Sequence, residues 1–245
     1  MKIYGLIGFP LSHSFSTKYF AEKFRKENIR NCRYENFPLH AIDDFPALIA
    51  EHEMAGLNVT IPYKEKVLSF LDDRTAVVAE TGACNCIKFE NGKLIGYNTD
   101  VVGFEKALLS DWEPRLQQAL VLGSGGAAKA VVYVLKKLRI PFRIVSRKEK
   151  GAGYLGYGEL VPDLIREHEL IINTTPIGMF PDITGTPLSD FQAIGGNHFL
   201  FDLIYNPEQT LFLQKGAERG AKVQNGMEML RIQAEESWNI WNNLI

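Results

Sequence analysis

The sequence predicts an α/β protein of two domains: an N-terminal α/β domain with a mostly parallel sheet, then a Rossmann dinucleotide-binding domain. Three observations carry this. Short apolar runs alternate with amphipathic segments through the first hundred residues, and a second such series begins at 119. That second series opens on a strand, a glycine-rich turn and a helix. Alternating strands and helices build units in which successive strands lie parallel, because each crossover helix returns the chain to the same end of the sheet.

In order, "KIYGLIG" (2–8) reads as a strand, residues 15–28 as a helix, "RYENFPL" as a strand and residues 42–52 as a helix. "GLNVTIP" follows as a strand and 63–71 as a helix. "CNCIKFENGKLIGYNTD" then places two runs around Asn91-Gly92, a pair that accepts the positive φ angles of a tight hairpin. Residues 101–112 read as helix. The second series runs "ALVLG", helix 126–138, "FRIVS", "ELIINTTP", "HFLFDLIY", helix 208–219 and "AKVQN". A long helix, 227–245, holds Trp238 and Trp241. Without a Gly/Ser or Pro linker, the halves are expected to join through the helix after Asp100. The expected boundary between them falls after residue 100. "GAGYLGYG" (151–158) reads as a mobile surface connection.

Composition excludes several classes. The chain has 245 residues, 46% hydrophobic and 23% charged, with net charge −2, so no nucleic-acid or anionic-membrane surface is expected. No apolar run reaches the roughly 18 residues of a spanning helix. "MKIYGLIGFP" has no small-residue cleavage site and reads as a strand rather than a signal peptide. The three cysteines, Cys32, Cys84 and Cys86, are odd in number and come without a secretory signal, which points to reduced thiols and a cytoplasmic location. Cys84 and Cys86 lack a second Cys or His pair, so no metal site is expected; on a strand they would face the same side.

The cofactor signal is G-x-G-x-x-A at Gly123, Gly125 and Ala128, between an apolar strand and a helix. Gly123 permits the tight turn, Gly125 lets backbone approach a pyrophosphate, and Ala128 allows close helix–strand packing. An NAD site usually carries an acidic residue at the end of the next strand for the ribose 2′-hydroxyl. Here that strand ends Ser146-Arg147-Lys148, neutral and basic, which suits a 2′-phosphate and hence NADP. Glu149 lies close and leaves NAD open, and a solvated basic turn is the bland alternative.

"GFPLSHSFS", "NVTIPYK", "GACN", "NTD", "GSGGAAKA", "INTTPIGM" and "GMEMLRIQA" occur in this order along the chain. On these motifs it resembles the shikimate dehydrogenase family along nearly its whole length. The resemblance implies a substrate domain, 1–100, completed by a C-terminal helix, 227–245, that returns to it, and a Rossmann domain, 101–226. It also implies NADPH-dependent reduction of 3-dehydroshikimate to shikimate in aromatic amino-acid biosynthesis, by a monomer or homodimer. Carried over, Lys64 and Asp100 are the catalytic pair, Ser14 and Ser16 bind the substrate carboxylate, and Tyr205 lies near it. Asn58, Thr60, Asn85 and Gln233 bind hydroxyls. Gly123, Ser124, Gly125, Gly126, Ala127, Ser146, Arg147, Lys148, Thr174 and Gly226 hold the cofactor.

The residue chemistry agrees, since a polyhydroxylated anion needs short donors and acceptors. The bland readings are that Ser14 and Ser16 cap a helix, Asn58 and Thr60 end a strand, Gln233 is a surface residue, and Lys64 is an exposed lysine covering apolar surface. Lys64 is expected at a helix start, where a cation is disfavoured and gives up its proton more readily. The sequence departs from the family where Asn-Arg-Thr is usual, in that Ser146-Arg147-Lys148 stands there and Lys150 is the only later basic candidate. The following region is short and glycine-rich, and Cys86 stands where threonine is common. The rival readings are a quinate/shikimate dehydrogenase with relaxed cofactor use and a non-catalytic nucleotide-sensing module on the same fold.

Overall fold

The computed structural model describes residues 1–11, 14–112, 118–148 and 151–244. The chain forms two compact units, Met1–Thr99 with Ala234–Ile245, and Asp100–Gln233.

In the first unit, β1 (Lys2–Gly8), α1 (Phe15–Lys26), β2 (Cys32–Pro38), α2 (Phe45–Glu51) and β3 (Met54–Val59) follow the expected alternation. Then come β4 (Asp73–Arg74), α3 (Ala76–Thr81), β5 (Cys86–Glu90) and β6 (Lys93–Tyr97). The sheet order is β2-β1-β3-β5-β6-β4. β1 runs parallel to β2 and β3, while β5 is antiparallel to both β3 and β6. Asn91 (φ 52°) and Gly92 (φ 75°) close the β5–β6 hairpin as expected.

Side chains alternate across this sheet, and each face buries its own cluster. One face carries Tyr4, Phe20, Phe24, Tyr34, Cys86, Trp238 and Trp241. Phe20 stacks on Tyr34 with centroids 4.4 Å apart, and Tyr4 on Trp241 at 5.1 Å. The opposite cluster contains Ile7, Leu57, Val59, Cys84 and Ile87. Cys84 and Cys86 therefore do not face the same side: Cys84 lies just before β5, and the alternation that would pair them begins only at Cys86. All three cysteines are free thiols, and among the described residues no group of three His, Cys, Asp or Glu side chains is placed to hold a metal.

Short elements of the first unit differ from expectation, β4 among them. The helix expected at 63–71 is a single 3-10 segment, Lys66–Phe70, preceded by a turn containing Lys64. α3 lies where no helix was expected, although Thr75 caps it and Gly82 ends it at φ 60°.

The second unit contains α4 (Thr99–Asp111), which begins one residue before it, then β7 (Ala119–Leu122), α5 (Gly126–Lys137), β8 (Phe142–Val145) and β9 (Tyr154–Leu155). α6 (Pro162–Glu167), β10 (Leu170–Asn173), β11 (Phe199–Asp202), α7 (Leu211–Glu218), β12 (Lys222–Gln224) and α8 (Met227–Trp241) complete the chain. The six strands are parallel in the order β12-β11-β10-β7-β8-β9. Counted from β7, that is 3-2-1-4-5-6, the doubly wound dinucleotide order. The glycine-rich run 151–158 is not simply a surface connection, because Tyr154 and Leu155 form the edge strand β9 beside β8. Among the described residues no helix is long and apolar enough to cross a membrane.

Candidate active site

In the first unit, short polar side chains gather on the face that holds the aromatic cluster. Ser14 stands at the N-cap of α1, yet its side chain makes no capping bond. Its Oγ is buried and without a hydrogen-bond partner among the described residues, an arrangement that costs on the order of 1–3 kcal/mol unless a ligand satisfies it. The capping role is thus absent for Ser14. Ser16, the second residue of α1, is buried against the Tyr34 hydroxyl. Ser12 and His13 of the same motif lie outside the described residues.

Asn58, in β3, is buried. Its Oδ1 accepts from the Tyr34 hydroxyl at 2.8 Å, and its Nδ2 donates to the Asn85 carbonyl at 3.2 Å and to Ser237 Oγ at 2.9 Å. Asn85 in turn accepts on Oδ1 from the Thr99 amide at 2.7 Å and donates to Thr99 Oγ1 at 3.0 Å. Ser237 and Thr99 hydroxyls are 3.2 Å apart. Burial pushes the Tyr34 phenol and the Cys86 thiol far up, each countered in part by a serine hydroxyl, Ser16 and Ser237 respectively. Tyr34, Thr99 and Ser237 were not singled out from the sequence. Thr99 sits inside the recognised "NTD" run; the other two carry no local signal.

Thr60 follows β3, its amide bonded to the Ile7 carbonyl at 2.9 Å. Lys64 is half-buried, and its carbonyl accepts from the Cys84 amide at 2.8 Å, which ties the lysine turn to the segment carrying Asn85. Because the element that follows is one 3-10 segment starting at Lys66, the helix-start field expected to act on the Lys64 cation is not built here.

In the second unit, Asp100 is buried in the first turn of α4, where unpaired helix N–H groups favour an acidic side chain. Gln233 is buried in α8 and donates to the Leu230 carbonyl at 3.0 Å. It is therefore not a surface residue.

The glycine loop leaves β7 at the strand-order switch point between β7 and β10. Gly123 has φ 107°, and a Cβ there would lie 2.8 Å from Thr174 Oγ1 and Thr175 Cγ2. Thr174 is held against the Leu122 carbonyl by its amide at 2.9 Å and its hydroxyl at 2.8 Å. A Cβ on Gly125 would meet nothing within 4 Å, so open space adjoins the N-terminus of α5, which carries Gly126 and Ala127. Ser124 and Ser146 hydroxyls, 3.1 Å apart, join this loop to the end of β8, and Ser146 accepts from the Lys148 amide at 3.2 Å. Arg147 is exposed, with its charge felt at Tyr157. Glu149 and Lys150 lie outside the described residues. These features fit a dinucleotide phosphate: a cleared backbone at the helix start and a basic group past the second strand. Gly226 has a packing reason as well, since a Cβ there would stand 2.1 Å from the Leu203 carbonyl oxygen.

Tyr205 is half-buried in the segment after β11. That segment hangs on Asp202, which accepts from the Thr210 hydroxyl at 2.6 Å, the Ile204 amide at 3.0 Å and Asn173 Nδ2 at 3.0 Å. Burial pushes the Asp202 carboxyl up from 3.8 to about 6, against these hydrogen bonds. The folded chain then holds a proton that the unfolded chain releases near 3.8. Folding gains from Asp202 are complete below that value and are lost as pH rises through about 6. About two units correspond to roughly 3 kcal/mol. Urea unfolding of wild type and Asp202→Asn between pH 4 and 7 should show the variant gaining stability relative to wild type as pH rises. A constant difference would remove Asp202 as the cause.

A doubly wound sheet with a cleared glycine loop, in a chain that also carries a unit of converging amides and hydroxyls, defines the class of dinucleotide-dependent dehydrogenases acting on a small polar substrate. Comparison with known proteins narrows this. Residues 6–87 match the family described as the shikimate dehydrogenase substrate binding domain. The chain is 35% identical to the shikimate dehydrogenase (NADP(+)) of Desulforamulus reducens, over 98% of this chain and 89% of that protein. It is 37% identical to the one from Methanococcus maripaludis, over 99% and 92%. The crystal structure of Thermus thermophilus shikimate 5-dehydrogenase in complex with NADP(H) and shikimate superposes with TM-score 0.88 at 29% identity, covering 100% of this chain and 95% of that one. The chain belongs to the shikimate dehydrogenase family.

Proposed function

We propose that this protein interconverts 3-dehydroshikimate and shikimate with NADP(H), a step in the biosynthesis of aromatic amino acids. Within the family assignment, the observation that supports this substrate is the cluster of short neutral polar groups with Ser14 Oγ buried and unpartnered among the described residues. A carboxylate would satisfy such a donor, and ring hydroxyls suit the amides of Asn58 and Asn85 together with Thr60 and Gln233. Tyr205 adds a phenol near the carboxylate.

Bound NADPH supplies the hydride that reduces the substrate ketone. The glycine loop from Gly123 to Ala127, with Thr174 and Gly226, holds its phosphates and nicotinamide end, while Ser146, Arg147 and Lys148 take the 2′-phosphate. Lys64 gives the proton that the new alcohol oxygen needs and takes it back in the reverse direction. Asp100 orients that lysine and the reacting hydroxyl.

The test is NADP+ reduction with shikimate and, separately, with quinate. Turnover with shikimate well above quinate is expected. Equal turnover would favour a dual-specificity enzyme, and none with either would favour a nucleotide-sensing module. Ser14→Ala should raise KM for shikimate about tenfold, the worth of one hydrogen bond to a charged group, with an unchanged melting temperature. A drop in melting temperature with unchanged KM would sink the carboxylate role.

A further inference from the structure

We propose that Ser237 and Tyr34 are positioning residues that lock the Asn58 carboxamide in one orientation, so that Asn58 meets the substrate only as a hydrogen-bond acceptor. This rests on the dehydrogenase reading above. The orientation follows from one fixed polarity. The Asn85 carbonyl can only accept, so the Asn58 atom 3.2 Å from it is the amide nitrogen. The second amide hydrogen goes to Ser237 Oγ at 2.9 Å, and Oδ1 receives the Tyr34 hydroxyl at 2.8 Å. Both donors of Asn58 are thus committed within the protein. One acceptor site on Oδ1 remains among the described residues.

A consequence for recognition follows. A ketone oxygen placed at Asn58 would face it lone pair to lone pair, whereas a hydroxyl would donate. Asn58 therefore reads a hydroxyl that keeps its proton in both directions of the reaction, and not the oxygen being oxidised or reduced. Ser237 is wholly buried, and its hydroxyl also lies 3.2 Å from that of Thr99, which holds Asn85. One serine on α8 thereby steadies both asparagines. It stands one helical turn beyond Gln233, on the same side of the helix.

The experiment is steady-state kinetics and thermal melting of Ser237→Ala, Ser237→Cys and Tyr34→Phe, each in wild-type and in Asn58→Ala backgrounds. In the wild-type background, Ser237→Ala and Tyr34→Phe should raise KM for shikimate about tenfold and leave KM for NADP+ within about twofold, the loss of roughly one hydrogen bond. Ser237→Cys keeps the size and a weaker donor and acceptor, so it should fall between; it carries the comparison if the alanine variant does not fold. In the Asn58→Ala background these increments should shrink to what the Ser237–Thr99 and Tyr34–Ser16 contacts still supply, because the amide being held is gone. Equal increments in both backgrounds, or lowered melting temperatures with unchanged KM, would overturn the positioning role alone. If the unmodified protein turned over no shikimate at all, the function reading would fall, and this inference with it.

Discussion

Lys64→Ala is expected to lose kcat for shikimate oxidation by about 100- to 10,000-fold, the usual cost of removing a positioned acid or base, with a smaller change in KM. Asp100→Asn should also lose rate. The double variant should lose much less than the product of the two, since groups acting as a unit are not additive. Lys64→Arg keeps the charge but holds its proton too tightly to donate it, so it should not restore full activity. Lys64 sits in a turn before a short 3-10 segment and not at a helix start, so no helix-start field acts on its cation. Lys64 is a half-buried residue whose backbone is bonded to the segment carrying Asn85. The role is falsified if Lys64→Ala keeps kcat within a few-fold of wild type while KM rises, for the lysine would then only bind.

Arg147→Ala is expected to raise KM for NADP+ by roughly 10- to 150-fold, the equivalent of 1.5–3 kcal/mol for a charge-assisted bond to phosphate, while the NAD+ reaction stays nearly unchanged. Arg147 is exposed at the turn after β8, so the selective effect should not be blurred by instability. Equal damage with both cofactors would assign the arginine to the adenine or to the fold.

Much of this was legible in the sequence because local pattern and global fold agree. The second series of strands and helices and its glycine turn mark the second sheet, and at Gly123 a side chain would collide with Thr174. The hairpin at Asn91-Gly92 is written in two residues. What escaped has physical reasons. The helix expected at 63–71 rests on nine residues of which only Lys66–Phe70 are wound, as a 3-10 segment after the proline turn. α3 and α6 are six residues each, below the length at which periodicity speaks, although Thr75 and Pro162 mark their starts. β9 is a two-residue edge strand hidden among glycines. Tyr34 and Ser237 were missed because their shared partner Asn58 is 24 and 179 positions away, and helical periodicity shows that a serine faces inward without showing what it meets.

The first unit is assembled from two distant stretches, Met1–Thr99 and Ala234–Ile245. The second of them packs Trp238 and Trp241 against Tyr4 and its neighbours, and Trp241 Nε1 donates to the Ile87 carbonyl at 3.0 Å. During synthesis, the part of the chain that leaves the ribosome first is therefore the part that must wait longest. Its aromatic face stays open while the continuous nucleotide unit is made, and closes only when residues 234–244 emerge. A pause in translation late in the message would hold exposed apolar surface in the cell, and would do so on the unit that appears first.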